Sequence, residues 1–247
     1  RYNICPGVDF MATQPNYKGA LTQYMTHPEE WTYHIPEGMT TMEGALVEPA
    51  AVGMHAAVLG GAQPGKSIVI LGGGTIGLMV LQACISLGAT DITVVDVIEK
   101  RLELAKKLGA ARVINGKEED TVAVLRSEEM YGDHGVDLVF EAAGAVFTAQ
   151  QAVQIVSRGG KIMMVGTQSK PVPIDFLKIN REVTIQTSFR YCNNFPQTIE
   201  AISSGRFNVK DMVTNIYDYE DVQKAFEEAI DPVKKTEMVK GVIKVAE

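Results

Sequence analysis

Residues 50–209 alternate short runs of apolar, often β-branched residues with stretches in which apolar residues recur at helical spacing. Such apolar runs are typical of buried parallel strands, and the stretches between them have the length of connecting helices. Strands are predicted at 67–71, 91–95, 112–114, 136–140, 161–165 and 182–188, and helices at 75–87, 99–108, 120–130 and 148–156. The alternation predicts an α/β fold with a doubly wound parallel sheet.

The sections on either side of this region have a different texture. Residues 1–49 are rich in Tyr, Thr, Pro and His, and short alternating runs such as 20–24 predict antiparallel strands and loops. Residues 210–247 contain a polar helix, predicted at 219–230, and a final apolar run at 241–245. We therefore expect both flanks to lie outside the α/β domain.

The composition excludes several classes of function. The formal net charge is −7, whereas a surface that binds nucleic acid needs a basic face. No apolar run approaches the ~20 residues that a membrane span requires, and no apolar segment of the signal-peptide kind is present. Three scattered cysteines do not make a disulfide framework. We expect a cytoplasmic protein that binds neither nucleic acid nor a membrane.

The most informative stretch joins the first predicted strand to the first predicted helix. Gly72, Gly74 and Gly77 fill the pattern G-x-G-x-x-G. The first glycine permits a tight turn, the second lets a diphosphate approach the backbone, and the third lets helix and strand pack closely. Thr75 and Ile76 open the helix, whose free N–H groups favour phosphates. Glycine-rich turns are common, so the pattern needs support from its surroundings.

An acidic residue supplies that support. Asp96 follows the second predicted strand, 19 residues after Gly77. A carboxylate at this point accepts hydrogen bonds from the adenosine ribose and repels a 2′-phosphate, so it favours NAD over NADP. Arg101 either covers the adenine side or pairs with Asp96. The sequence therefore predicts an NAD-binding Rossmann domain.

Three stretches resemble one known family. The family is that of the medium-chain, zinc-containing alcohol dehydrogenases. The stretches similar to its segments are residues 1–6, residues 44–56 and the block Phe189-Arg190-Tyr191-Cys192-Asn193. The last block is the most specific, and it resembles the sorbitol/xylitol (L-iditol) dehydrogenases within that family. The similarity runs over the whole chain.

This resemblance implies a division into domains. Residues 50–209 correspond to the NAD-binding Rossmann domain of the family. Residues 1–49 and 210–247 correspond to the remaining parts of a GroES-like, β-rich catalytic domain. The expected fold is therefore a doubly wound Rossmann sheet with a remnant of a second domain.

The resemblance also implies a reaction, the NAD-dependent oxidation of a polyol to a ketose. In the family, zinc polarises the substrate hydroxyl while hydride passes to the nicotinamide. The family's zinc ligands, a Cys and an adjacent His-Glu pair, lie upstream of the part that this chain matches, and the chain contains no His-Glu pair. We therefore expect zinc in the full-length protein, no intact zinc site in this chain, and no turnover by the chain alone.

Four residues are assigned to the catalytic end by the same resemblance. Glu48 matches a glutamate near the zinc, bound directly or through water, although an acid in a first helical turn also has a purely structural explanation. Arg190 and Tyr191 match residues at the substrate and nicotinamide end, with a surface pair as the alternative. Phe10 matches an aromatic residue that lines the pocket, with core packing as the alternative.

The nicotinamide half of the coenzyme is assigned to the ends of strands. In doubly wound sheets a ligand crosses the carboxyl ends of the strands. The predicted contacts are Ala143, Gly144, Val165, Gly166, Thr167, Phe189 and Arg190. Ordinary turn chemistry is the alternative explanation for the glycines among them.

Two other functions and one assembly state are consistent with parts of the sequence. A zinc-free quinone or enoyl reductase of the same superfamily is opposed by Asp96, because such enzymes usually prefer NADP. A non-catalytic nucleotide-binding module is favoured only by the lack of zinc ligands. The last strand of the sheet, predicted at 182–188, should lie at an edge and pair with a second subunit. The resemblance implies that the assembly is a homodimer or a homotetramer.

Overall fold

The computed structural model describes residues 1–8, 10–11, 19–179 and 181–245. Its strands are β1 (Ser67–Leu71), β2 (Asp91–Asp96), β3 (Arg112–Asn115), β4 (Val136–Glu141), β5 (Val156–Met164), β6 (Thr184–Thr187), β7 (Val213–Asp218) and β8 (Lys240–Lys244). Its α-helices are α1 (Thr41–Ala45), α2 (Val47–Gly60), α3 (Thr75–Ser86), α4 (Glu99–Lys107), α5 (Thr121–Leu125), α6 (Val146–Ile155), α7 (Phe195–Ser203) and α8 (Val222–Ile230).

The main sheet has the order β3-β2-β1-β4-β5-β6, and every neighbouring pair in it is parallel. The chain builds outward from β1 to β3 and then returns to the other side of β1 with β4, so the sheet is doubly wound, as predicted. This order places the change of direction between β1 and β4, where ligands of such sheets bind. β6 lies at an edge, which also agrees with the prediction.

Each face of the sheet is covered by its own hydrophobic cluster, because successive residues of a strand point to opposite sides. In β1, Ile68 and Ile70 belong to the cluster that includes residues of α2, α3, α4 and α7, whereas Val69 and Leu71 belong to the cluster that includes residues of α5 and α6. All four side chains are completely buried. Burial of each contributes roughly 1.5–3 kcal/mol, so the strand that carries the glycine loop is held firmly from both sides.

Several predicted elements of the central region have different bounds in the structure. The helix predicted at 120–130 is only α5, which Asp120 caps by accepting from the amides of Val122 and Ala123. The chain then turns towards Gly132, whose φ is 51°. β6 is shorter than the strand predicted at 182–188, because Glu182 has a φ of 60°, outside the extended range. α7 was not predicted.

The boundary between α6 and β5 also differs from the prediction. α6 begins two residues before the helix predicted at 148–156, and β5 begins at Val156 instead of residue 161. β5 shifts its register against β4 between Val136 and Leu138. Gly159 and Gly160 interrupt the apolar pattern in the first half of β5, which concealed that half in the sequence.

The structure of the two flanks, residues 1–49 and 210–247, differs from the prediction in two respects. The antiparallel strands predicted within residues 1–49 are wrong for the described part of that section, which contains turns and the short helix α1. In the run at 20–24, the Thr22 hydroxyl donates to the carbonyl of Tyr24, a local bond that competes with strand pairing.

Near the other end of the chain, β7 was not predicted. It pairs in parallel with β8 in a separate two-stranded sheet. The predicted helix at 219–230 becomes α only from Val222. No described helix is long and apolar enough to cross a membrane.

Candidate functional site

The glycine loop lies between β1 and α3, and each glycine of the pattern has its own structural reason. Gly72 has a φ of 109°, in the region that favours glycine. A Cβ on Gly77 would collide with the carbonyl oxygen of Gly72, so helix and loop touch there. At Gly74, the nearest described atom to an added Cβ is Arg101 Nη1, 3.9 Å away. The loop therefore combines a tight turn at Gly72, close packing at Gly77 and open space at Gly74, as the pattern predicts.

Asp96 ends β2, and its carboxylate lies against the same loop. Oδ2 accepts a hydrogen bond from the Gly73 amide (2.7 Å), and Oδ1 accepts from the amides of Val97 and Ile98 (2.8 and 2.9 Å). The side chain is 6% exposed, and Arg101 Nη1 is 3.7 Å from Oδ2. Because a carboxylate has about four lone-pair sites, Asp96 keeps capacity for another donor. The structure brings the predicted acid and the predicted glycines together.

A segment near the carboxyl end of the chain lies beside this loop, which the sequence did not indicate. The Thr75 hydroxyl donates to the carbonyl of Val239, and Arg101 Nη2 donates to the carbonyl of Lys235 (3.3 Å). Arg101 Nε is buried and has no hydrogen-bond partner among the described residues. Arg101 thus lies between Asp96 and the carboxyl-terminal segment, in accord with the pairing that the sequence left open.

The turns after β4 and β5, residues 142–144 and 165–167, hold five of the residues predicted to contact nicotinamide. A Cβ on Gly166 would collide with the amide nitrogen of Gly144. A Cβ on Gly144 would lie 2.6 Å from the carbonyl oxygen of Thr167. The structure therefore brings the two turns into contact at one edge of the sheet. The same edge holds the glycine loop, since a Cβ on Gly72 would lie 2.9 Å from the Ala143 nitrogen.

A buried carboxylate that the sequence analysis missed holds these turns. Glu141 is completely buried at the end of β4. Its Oε1 accepts from the amides of Ala143 and Gly144 (3.0 and 2.9 Å) and from the Thr148 hydroxyl (2.7 Å). Its Oε2 accepts from Gln168 Nε2 (2.7 Å). The available signal was a single acidic residue directly after an apolar strand.

An aromatic cluster lies beyond the end of β6. The guanidinium carbon of Arg190 is 3.7 Å from the centroid of the Phe10 ring, and the rings of Phe10 and Phe189 are 6.0 Å apart. Arg190 has a φ of 48°, which is unusual for a residue with a side chain. Asn3 Nδ2 donates to the carbonyl of Phe189 (2.9 Å). The structure thus brings Phe10, Phe189 and Arg190 together, although Phe10 is far from the others in sequence.

Tyr191 is coupled to Glu48. The pKa of Tyr191 is raised to about 12, first by burial and then by the negative charge of Glu48 and a hydrogen bond to it. Glu48 itself is exposed in the first turn of α2. Glu48 and Tyr191 are two of the four residues that the resemblance assigned to the catalytic end.

Tyr191 also lines a cavity of about 1050 Å³. The wall is rich in aromatic residues, among them Tyr2, Phe10, Trp31, Tyr33, Tyr191 and Phe195. Tyr191 packs edge-on against Phe195 with ring centroids 5.0 Å apart, and Tyr33 stacks on Phe195 at 5.3 Å. A cavity of this size and lining is suited to a small organic molecule.

The metal-binding groups near this end do not form a zinc site. Among the described residues, no group of three or more His, Cys, Asp or Glu side chains is close enough together to hold a metal ion. His55, seven residues after Glu48 on α2, is buried, and its Nδ1 lies 3.0 Å from Asn194 Oδ1. Burial lowers the pKa of His55. A catalytic zinc needs about three protein ligands, so the donors among the described residues do not fit one.

The sheet order, the glycine loop and the acid at the end of β2 define an α/β protein of the Rossmann type. The chain belongs to the zinc-binding dehydrogenase family, whose model matches residues 75–204. It is 64% identical over its whole length to the "Uncharacterized zinc-type alcohol dehydrogenase-like protein YdjJ" of Escherichia coli (strain K12), and spans 70% of that protein.

Two further comparisons extend this result. The sorbitol dehydrogenase of Bacillus subtilis (strain 168) is 40% identical over 93% of the chain, which spans 65% of that enzyme. A crystal structure of an Escherichia coli oxidoreductase/dehydrogenase of unknown specificity matches with a TM-score of 0.96 and 63% identity, over 100% of this chain and 70% of that one. The chain thus spans about two thirds of the length of the proteins it matches.

Proposed function

We propose that the chain provides the coenzyme-binding part of an NAD-dependent polyol dehydrogenase. In the overall reaction, hydride passes from a carbinol carbon of the polyol to the nicotinamide ring, the hydroxyl proton is released, and a ketose and NADH form. One observation carries the choice of coenzyme. The Asp96 carboxylate lies against the glycine loop. A carboxylate at this place supports hydrogen bonding to the adenosine ribose and repulsion of a 2′-phosphate.

The remaining parts of the coenzyme are assigned along the carboxyl ends of the strands. The diphosphate lies at Gly74, Thr75 and Ile76, where the first turn of α3 offers free amides. The nicotinamide lies against the turns 142–144 and 165–167, with Phe189 and Arg190 beyond it. This order follows the sequence of strand ends from β2 through β1 and β4 to β5 and β6.

The polyol is assigned to the aromatic end, where Arg190 contacts Phe10 and Tyr191 interacts with Glu48. The identity of the substrate class is supported by the similarity to a sorbitol dehydrogenase. Zinc-assisted turnover is proposed for the full-length protein, with Glu48 near the metal, and the chain alone is expected to bind coenzyme without turnover.

Residues 50–209 form the coenzyme domain in this proposal, and the flanks belong to a GroES-like catalytic domain. The separate sheet of β7 and β8 supports that division.

Coenzyme titration tests the central claim. By calorimetry, we expect NAD to bind at least about tenfold more tightly than NADP, because a carboxylate would face the 2′-phosphate. Asp96→Asn removes the charge and should narrow this preference. Asp91→Asn, at the opposite end of β2, is the matched control and should leave the preference unchanged. Tighter binding of NADP to the unaltered chain contradicts the proposal.

Turnover tests the substrate. The full-length protein should reduce NAD in the presence of sorbitol or xylitol, measured by the absorbance of NADH. Binding of NAD without turnover of any polyol would favour the non-catalytic nucleotide-binding module instead.

Assembly and location are further parts of the proposal. Among the described residues, β6 has one neighbour in the sheet, and we propose that its other edge pairs with β6 of a second copy in a homodimer or homotetramer. We propose a cytoplasmic oligomer. Sedimentation velocity should give a mass at least twice that of the monomer, and a monomer at micromolar concentration contradicts this.

A further inference from the structure

Glu141 is a charged side chain in the interior of the sheet, at the point where β4 ends. It is completely buried, whereas an isolated carboxylate in such a place would be strongly disfavoured. Four donors surround it: the amides of Ala143 and Gly144, the Thr148 hydroxyl and the Gln168 amide. The carboxylate is therefore satisfied, and Ala143, Gly144 and Gln168 all donate to this one group.

Three of these donors connect two separate turns, and the fourth, Thr148, lies in α6. Ala143 and Gly144 lie in the turn after β4, and Gln168 follows the turn after β5. The backbone of Glu141 adds to the connection, because its carbonyl accepts from the amides of Val165 and Gly166 (both 2.8 Å). One residue thus holds both turns, through its carbonyl and through its carboxylate.

The two turns also fit against each other with little free space. Gly144 and Gly166 are in contact, so closely that neither position has room for a Cβ. A displacement of one turn therefore displaces the other. Their relative position depends on the group that ties them together, which is Glu141.

We propose that Glu141 is a positioning residue that fixes the two turns as one rigid wall for the nicotinamide ring of the coenzyme. The inference rests on the proposed function, which assigns nicotinamide to these turns. Glu141 does not touch the coenzyme; it acts through the backbone of Ala143, Gly144 and Gly166.

The Gln168 side chain gives this arrangement a distinctive property. A carboxylate only accepts hydrogen bonds, so the Nε2 of Gln168 must face Glu141. Gln168 Oε1 is then buried without a hydrogen-bond partner among the described residues. If Glu141 became glutamine, Gln168 could turn its amide over, and Oε1 would accept from the new Nε2. The connection between the turns would survive without the charge.

The test compares two ligands that differ only in the nicotinamide ring, NAD and ADP-ribose. Their dissociation constants are measured by calorimetry on each variant of the chain, and the ratio isolates the nicotinamide contribution. We expect Glu141→Ala to raise the dissociation constant of NAD by about tenfold, while the dissociation constant of ADP-ribose changes by less than about twofold. Glu141→Gln should restore most of the ratio, because the amide of Gln168 can adapt.

A matched control lies on the same strand. Asp137, near the start of β4, accepts from the backbone amide and the hydroxyl of Ser67 (both 2.9 Å). Asp137→Ala removes a carboxylate of similar role from the opposite end of β4, so it should lower stability and leave the ratio unchanged. If Glu141→Ala does not fold, Gln168→Ala cuts only one of the four bonds and should shift the ratio in the same direction, by about threefold.

The outcomes separate the two proposals. If the unaltered chain binds neither ligand, the proposed function is wrong. If it binds both, but Glu141→Ala or Gln168→Ala changes the two affinities equally or not at all, the positioning role is wrong and the proposed function stands. A ratio that moves equally in Asp137→Ala also overturns the positioning role, since it would then report general stability.

Discussion

The glycine loop and the aromatic cluster belong to the same candidate site, yet they are held by different forces. The loop sits between a strand buried on both faces and a helix, and its shape is set by the backbone of Gly72 and Gly77. The cluster is set by side chains: the ring of Phe10 meets the guanidinium of Arg190 from another part of the chain. The loop is therefore a product of regular secondary structure, and the cluster depends on tertiary packing.

The largest effect should come from filling the space at the glycine loop. In Gly77→Ala, the new Cβ would collide with the Gly72 carbonyl oxygen, so α3 must move away from β1. Overpacking of this kind costs about 1–3 kcal/mol, more than the ~1 kcal/mol that alanine contributes through its helix propensity. We expect lower stability in urea and loss of NAD binding by at least about tenfold.

Gly7→Ala is the control for that substitution. A Cβ on Gly7 meets no described atom within 4 Å. Its urea midpoint and NAD affinity should match those of the unaltered chain. Equal behaviour of the two variants would show that the loop is not set by backbone packing, and the contrast with the aromatic cluster would disappear.

The same contrast explains what could be predicted from the sequence. The strands and helices between residues 67 and 165 were largely predictable, because buried strands leave continuous apolar runs and the glycine pattern needs its backbone geometry. Asp96 was predictable because its place is fixed by the end of β2. Each of these features depends on neighbours that are close in sequence or on the order of strands.

Features that depend on distant contacts were not predictable. Glu141 has no pattern of its own, since its four donors are identified only once the turns are in place. The approach of Val239 to Thr75 joins segments far apart in sequence. β7 carries mixed polar and apolar residues and finds its partner only in β8. The strands expected in residues 1–49 failed for the converse reason: an alternating run does not make a strand without a partner.

A smaller effect, on ionisation, tests the coupling between Tyr191 and Glu48. The pKa of Tyr191 is raised to about 12 from an ordinary value of 10, so the folded chain holds the phenolic proton more tightly than the unfolded chain does. The associated stabilisation is present below pH 10 and is lost as the pH rises towards 12. The pKa values of Tyr131 and Tyr217 are raised as well, so the measurement is a difference: the late part of an absorbance titration should lose one phenolate in Tyr191→Phe.

Glu48→Gln separates the two causes of that shift. Burial is the larger cause and remains in the variant, whereas the negative charge is removed. The pKa of Tyr191 should therefore fall in this variant but stay above 10, the ordinary value for tyrosine. A titration unchanged by the substitution would mean that Glu48 does not act on Tyr191, and the pairing at the catalytic end would lose its support.

The smallest expected effect concerns the contact that defines the aromatic cluster. A guanidinium over an aromatic face contributes about 0.5–2 kcal/mol, increasing with burial, and Phe10 and Arg190 are both half-buried. A double-mutant cycle of Phe10→Ala and Arg190→Ala, measured by urea unfolding, should give a coupling energy of that size. The pair of Phe189 and Arg190 is the control, because its separation is 6.0 Å instead of 3.7 Å and its coupling should be weaker. Equal coupling in both cycles would mean that the ring of Phe10 does not hold Arg190 in place. The φ of 48° at Arg190 would then have to be maintained by the backbone around it, as at the glycine loop.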